Sequence, residues 1–246
     1  MKRYLIFLIL FLLFSGCQTY YNPVLQKEEY TFYSEKDEIF IGKSADEKLS
    51  KEYKISIAPE NIQRIGKKIA SVCDRANLEY IFKVVENEEI NAFSIPGGYV
   101  YLYEGLIEKV KDEDEIAFVI AHEIGHICAR DGIQRLEKTI LYSIPASILL
   151  SGDKNKVIKQ AIDVGFNISM LKYSRQQELR ADSLAIKYLI KGGFNPEKSI
   201  KFFETLKEME KNSFSGMFTF LRDHPPLEER IKNVRQAIEE YKTSFR

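Results

Sequence analysis

Apolar positions in this chain follow two periods, and the switches between them mark out its elements. Behind Ser34, an N-cap residue type followed by acidic side chains, Ile39, Phe40 and Ile41 open a helix that runs to about Lys51. Ile62, Ile65, Ile69 and Val72 then recur at spacings of three and four, an apolar stripe behind Pro59, which suits a first helical position. The period next falls to two. Residues 80–85, 90–95 and 99–103 are β-branched and aromatic, and the last two runs flank Pro96-Gly97-Gly98, the composition of a hairpin turn. Helical spacing returns over 105–110, and again behind the acidic stretch 111–115, where the pattern continues through His126 to Ile133, Leu136, Ile140 and Leu141. The apolar run 144–150, interrupted by Pro145, is too short to cross a bilayer and reads as a buried helix end, a lid or a membrane-surface contact. Further helices are predicted over 154–171, from Ser174 to Gly192-Gly193, after Pro196, and over 227–241, with an apolar loop at 214–220. The pattern predicts one mostly α-helical α+β domain, its small antiparallel sheet lying beside the long helix.

With 246 residues, 45% hydrophobic and 29% charged, the chain has the balance of an ordinary folded protein. Acidic and basic residues are equal at 36 each and scattered, which argues against a nucleic-acid partner. Lys2-Arg3 precedes an apolar run from Tyr4 to Phe14, followed by Ser15-Gly16-Cys17. This resembles a bacterial lipoprotein signal, with Phe14 where leucine is preferred; an ordinary signal peptide or an uncleaved anchor are the alternatives. The expected organisation is a signal peptide over 1–16, lipid attached at Cys17, a tether over 17–33 and the folded domain over 34–246. Gln18 after the cysteine favours the periplasmic face of the outer membrane if the source is a diderm. Cys73 and Cys128 are open to two outcomes, one disulfide or two buried thiols.

The chemistry concentrates in His122-Glu123-Ile124-Gly125-His126. At about 100° per residue, histidines four apart lie about 40° from each other on one helix face. Two such imidazoles can hold one zinc ion, and the adjacent Glu123 can poise a water as general base. A hydrolytic zinc takes a third protein ligand and leaves the fourth position open. Glu178, in Arg175-Gln176-Gln177-Glu178-Leu179-Arg180-Ala181-Asp182, can supply it, although a charged run of this kind alone would read as a solvated helix face. Asp182, four residues on, is expected in an outer shell orienting a ligand imidazole, with Arg175 as a further outer-shell group.

These motifs, together with Asn91-Ala92-Phe93 before the Pro-Gly-Gly turn and the late His224-Pro225, resemble the HtpX-like and CAAX-prenyl-protease-type zinc endopeptidases of the gluzincin group. The likeness runs over most of residues 34–240 and is greater to a lipoprotein, periplasmic quality-control branch than to integral-membrane members. It implies a zincin-like fold, a single zinc on His122, His126 and Glu178, and catalytic roles for Glu123 and His224. His224 would either donate to the tetrahedral oxyanion or block the zinc at rest. Asn91, Ala92 and Phe93 would border the substrate strand. The implied partners are unfolded or misassembled envelope polypeptides, with a membrane held through the lipid. A zinc-containing assembly factor with little or gated proteolysis, and a hydrolase of non-peptide substrates, are the rival readings.

Overall fold

The computed structural model describes residues 18–143, 173–212 and 226–244, with positions 156, 158–160 and 162. Cys17 and the leader, the 144–150 run, the 214–220 loop and His224 lie outside them. Among the described residues there are six strands and eight helices. None of these helices is long and apolar enough to cross a membrane.

The sheet has the order β3-β4-β6-β5, built from β3 (Ile55–Ile57), β4 (Ile81–Val85), β5 (Ala92–Ile95) and β6 (Tyr99–Tyr103). The expected hairpin is present, with Ala92 opposite Leu102 and Ile95 opposite Tyr99. Its turn needs glycine: Gly97 and Gly98 have φ of 82° and 98°, and a Cβ on Gly98 would meet Glu79 O at 2.0 Å. The sheet is not wholly antiparallel. β6 inserts between β5 and β4 and runs parallel to β4, Ile81 beside Tyr99. The 86–91 connection makes this possible by passing across the end of β6, where Asn91 O accepts from Tyr103 N and Asn87 O from Gly105 N. β3 was invisible to periodicity because three residues carry no period; it exists by pairing with β4.

Helix α1 (Glu35–Glu52) starts at Ser34, whose hydroxyl accepts from Asp37 N while Asp37 Oδ2 accepts from Ser34 N. In α2 (Glu60–Ala70), Ile62, Ile65 and Ile69 are fully buried, as the stripe predicted; Pro59 stands at the N-cap, one position earlier than expected. The short α3 (Glu104–Lys109) leads to α4 (Glu113–Cys128), capped by Asp112, which accepts from Asp114 N and Glu115 N. From Glu115 to Cys128 every residue of α4 is buried, so this is the central helix, packed against α2, β5, α6 (Arg175–Lys191) and α7 (Lys198–Asn212). The last helix, α8 (Leu227–Ser244), packs on α6 and α7.

Two further features depart from the sequence reading. The helical pattern expected to run through His126 to Leu141 is broken: α4 ends at Cys128, Arg130 takes φ 56°, and α5 (Asp131–Ser143) starts afresh. The side chain of Arg130 turns inward to Glu38 Oε2 at 2.8 Å and Tyr33 O at 2.9 Å, long-range contacts that hold the left-handed residue in place. The segment expected to be a tether is, from Gln18 onward, a hairpin of β1 (Gln18–Asn22) and β2 (Lys27–Thr31). Tyr20 lies over the Arg130 guanidinium at 4.2 Å, Asn22 Nδ2 donates to Ala129 O, and Thr31 Oγ1 donates to Glu137. Its inward face is polar, so hydrophobic alternation could not reveal it. Cys73 and Cys128 are buried free thiols, with Tyr80 Oη 3.3 Å and 3.5 Å from their sulfurs.

Candidate metal centre

The centre is assembled where α4 and α6 cross. Gly125 permits the close approach, since a Cβ there would lie 3.2 Å from Ala181 O and 3.3 Å from its Cα. His122 and His126 project from α4 and Glu178 from α6, all three at most 2% exposed. His122 Nε2 is 3.1 Å from His126 Nε2 and 3.5 Å from Glu178 Oε2, while His126 Nε2 is 3.6 Å from Glu178 Oε1. A tetrahedral ion with bonds of about 2.1 Å has ligand atoms about 3.4 Å apart, so these three edges fit zinc.

Behind the ligands sits a buried set of charges that fixes both imidazoles. Asp182 Oδ1 is 2.9 Å from His122 Nδ1, and Asp131 Oδ2 is 2.8 Å from His126 Nδ1. Each carboxylate holds the Nδ1 proton, which leaves the Nε2 lone pairs directed at the shared position. The carboxylates are themselves held. Arg230, from α8 and fully buried, donates Nε to Asp182 Oδ2 at 2.9 Å and Nη2 to Oδ1 at 2.6 Å. Asp131 Oδ1 accepts from Gln177 at 3.0 Å and pairs with Arg180. Burial alone would drive the His122 pKa down, but Asp182 and Glu178 outweigh it and push it up to about 9. For Asp182, burial acts upward and the Arg230 charge outweighs it, holding the carboxyl below its ordinary range.

Glu123, 2% exposed, faces the neighbouring strand: Ser94 Oγ is 2.8 Å from its Oε2. Tyr173 covers the other side, its ring stacked on that of His126 with centroids 3.9 Å apart, and Arg135 lies 4.7 Å from the tyrosine ring. The strand β5 carrying Ser94 is an edge of the sheet. Ala92 and Ser94 point toward α4. Phe93 points the other way, stacked on Tyr101 at 4.6 Å in the cluster under α1, so its side chain is a packing residue and only its backbone borders the site. Asn91 turns its Oδ1 back to Ala92 N. Arg175 is not in the outer shell of the centre: its side chain is 70% exposed and pairs with Glu229. The sequence reading missed Asp131, Arg230, Tyr173 and Ser94. Asp131 followed His126 by five residues in what read as one helix, and Arg230 lay in the predicted 227–241 helix with no local motif to single it out.

A buried His-His-Glu set with a second glutamate beside the first histidine, on crossed helices under a small sheet, defines a zinc metallopeptidase. Residues 57–238 match Peptidase family M48, and the chain belongs to that gluzincin-type family. It is 30% identical over 254 residues to the mitochondrial metalloendopeptidase OMA1 of Saccharomyces cerevisiae, covering 92% of this chain and 73% of that protein. It is 29% identical over 183 residues to the beta-barrel assembly-enhancing protease of Escherichia coli, with 71% of this chain but 37% of that protein covered. To the metalloprotease YcaL of Escherichia coli it is 28% identical over 160 residues, 64% of this chain and 61% of the other.

Proposed function

We propose that the protein is an envelope endopeptidase that hydrolyses unfolded or misassembled polypeptides while attached to a membrane through lipid at Cys17. The observation that carries the hydrolytic reading is the set of three ligand-to-ligand distances, close to the edges of a zinc tetrahedron. His122, His126 and Glu178 would hold the zinc, which when bound would supply a Lewis acid for the scissile carbonyl and lower the pKa of water toward neutrality. Glu123 takes the proton of the attacking water and returns one to the leaving amine. Ser94 holds the Glu123 carboxylate toward that task, and Asp182 and Asp131 keep the two imidazoles in register. Among the described residues β5 is paired on one side only, which suits an extended peptide, with Asn91 and Ala92 offering backbone groups to it. His224, outside the described residues, stays in this reading as the oxyanion donor or a resting-state block.

The name of the beta-barrel assembly-enhancing protease supports an envelope substrate, and the OMA1 relative, named as a mitochondrial metalloendopeptidase, supports endopeptidase activity. Placement in the HtpX-like and CAAX-type group, and in a lipoprotein branch of it, rests on the motifs around Asn91, Glu178 and His224 and on the leader. The test is cleavage of unfolded casein by the purified full chain, with and without chelator. Chelator-sensitive cleavage is expected. Zinc binding without any cleavage would favour instead an assembly factor whose proteolysis is gated.

A further inference from the structure

The N-terminal hairpin and the far end of α5 form one surface. β2 and α5 run side by side in the same direction: Gln134 Nε2 donates to Glu29 at 3.1 Å, and further along Glu137 Oε1 accepts from Thr31 Oγ1 at 2.6 Å and from Phe32 N at 2.8 Å. Gln18 pairs with Thr31, so the point where the chain enters the hairpin lies at this same end. The next turn of α5 beyond Glu137 carries Leu141 and Tyr142, 49% and 92% exposed, next to the exposed Lys138. Tyr20 faces inward over Arg130, so Thr19 and its cross-strand partner Tyr30 face outward, the tyrosine 76% exposed. Tyrosines with an apolar body and polar tip, together with a lysine, are the composition that settles at the headgroup level of a bilayer.

The preceding sequence says what covers this surface. The apolar run Tyr4 to Phe14 ends four residues before Gln18, a span of at most about 14 Å when fully extended. The cysteine that would carry lipid adjoins Gln18 directly. Because the hairpin is folded against the end of α4 and against α5, at most this short span separates membrane attachment from the enzyme. We propose that the end of the molecule bearing Tyr30, Leu141, Tyr142 and Lys138 docks on the lipid bilayer surface. The proposal rests on the reading that the leader or its lipid holds the chain at a membrane. It also narrows the substrate class. α5 is about 20 Å long, and its first residue, Asp131, holds His126, so the metal centre works within about that distance of the docked end. Its substrates are unfolded segments presented at the bilayer surface.

The chain contains no tryptophan, so an introduced indole reports its own surroundings. The full chain with its leader-derived anchor is prepared as Tyr142→Trp, Tyr30→Trp and Ile57→Trp, the last on the opposite edge strand β3 and 66% exposed. Zinc content equal to wild type certifies each fold. On joining phosphatidylethanolamine–phosphatidylglycerol vesicles, indoles at 142 and 30 are expected to shift to the blue and to lose emission to brominated acyl chains, with the indole at 57 unchanged. Vesicle-bound protein whose indoles at 142 and 30 behave like that at 57 would overturn the docking surface and leave the anchor intact. Protein that fails to float with vesicles would overturn both.

Discussion

Asp131 Oδ2 lies 2.8 Å from His126 Nδ1, and it can do so only because the chain leaves the helix between them. In a continuous helix, residues five apart differ by about 140° and a short aspartate could not reach back to the ring. The left-handed Arg130, anchored on Glu38 and Tyr33 O, turns the chain so that Asp131 opens α5 beneath the imidazole. Asp131→Ala and Asp182→Ala are each expected to weaken zinc binding by about 10–100-fold, since both remove the carboxylate behind a ligand histidine. Arg175→Ala is expected to leave it unchanged, its side chain being exposed and paired with Glu229 rather than with the centre. Competition with a fluorescent chelator measures all three, and an Asp131 variant with wild-type affinity would refute the role given to that residue.

Glu123→Gln is expected to retain one zinc and to lose peptide hydrolysis by a factor of about 10²–10⁴, the usual contribution of a positioned general base. Metal analysis alongside casein turnover decides it. Wild-type turnover with zinc bound would remove Glu123 from the mechanism.

Ser94→Ala removes the hydroxyl 2.8 Å from Glu123 Oε2. A hydrogen bond to a charged group is worth about 1.5–3 kcal/mol, so kcat is expected to fall by roughly tenfold or more while KM and zinc content hold. Ser94→Thr, which keeps the hydroxyl, should recover most of the loss. Equal defects in the two variants would mark Ser94 as packing only.

Gly125→Val places two methyl groups against the backbone of α6 at Ala181, where even a Cβ would sit at 3.2–3.3 Å. Overpacking of this sort costs about 1–3 kcal/mol, and here it also displaces the helix that carries Glu178. Urea unfolding should show the stability loss, and chelator competition a weaker zinc site. A variant with unchanged zinc affinity would mean that the crossing of α4 and α6 does not set the ligand geometry.

In the zinc-free protein, His122 is held protonated by Asp182 and Glu178, its pKa raised from 6.5 to about 9. A raised folded-state pKa contributes stability that is fully present below pH 6.5 and is lost as the pH climbs through 9. The melting temperature of chelated protein should therefore decline across that window. Zinc competes with the same proton, so zinc binding near pH 7 should release it and zinc affinity should rise toward pH 9. Calorimetric titrations in buffers of different ionisation enthalpy count the proton. A zinc affinity that falls between pH 6.5 and 9 would contradict the assignment.

Local periodicity was enough to set out most of the elements and the heart of the site. His122, Glu123 and His126 are legible because four residues make about one helical turn, and the hairpin because Pro96-Gly97-Gly98 separates two alternating runs. Glu178 was legible only as the carboxylate that two histidines require. Tertiary structure decided the rest. Arg230 carries no local signal in the predicted 227–241 helix, yet it is fully buried, its charge neutralised by Asp182 from another helix. The break at Arg130 contradicts its own helical pattern because Glu38, distant in sequence, holds its guanidinium. The hairpin of Gln18–Asn22 and Lys27–Thr31 has a polar inner face whose partners, Ala129, Arg130 and Glu137, lie about a hundred residues away. A sequence pattern records which face of an element is apolar; it does not record which buried charges find each other once the elements pack.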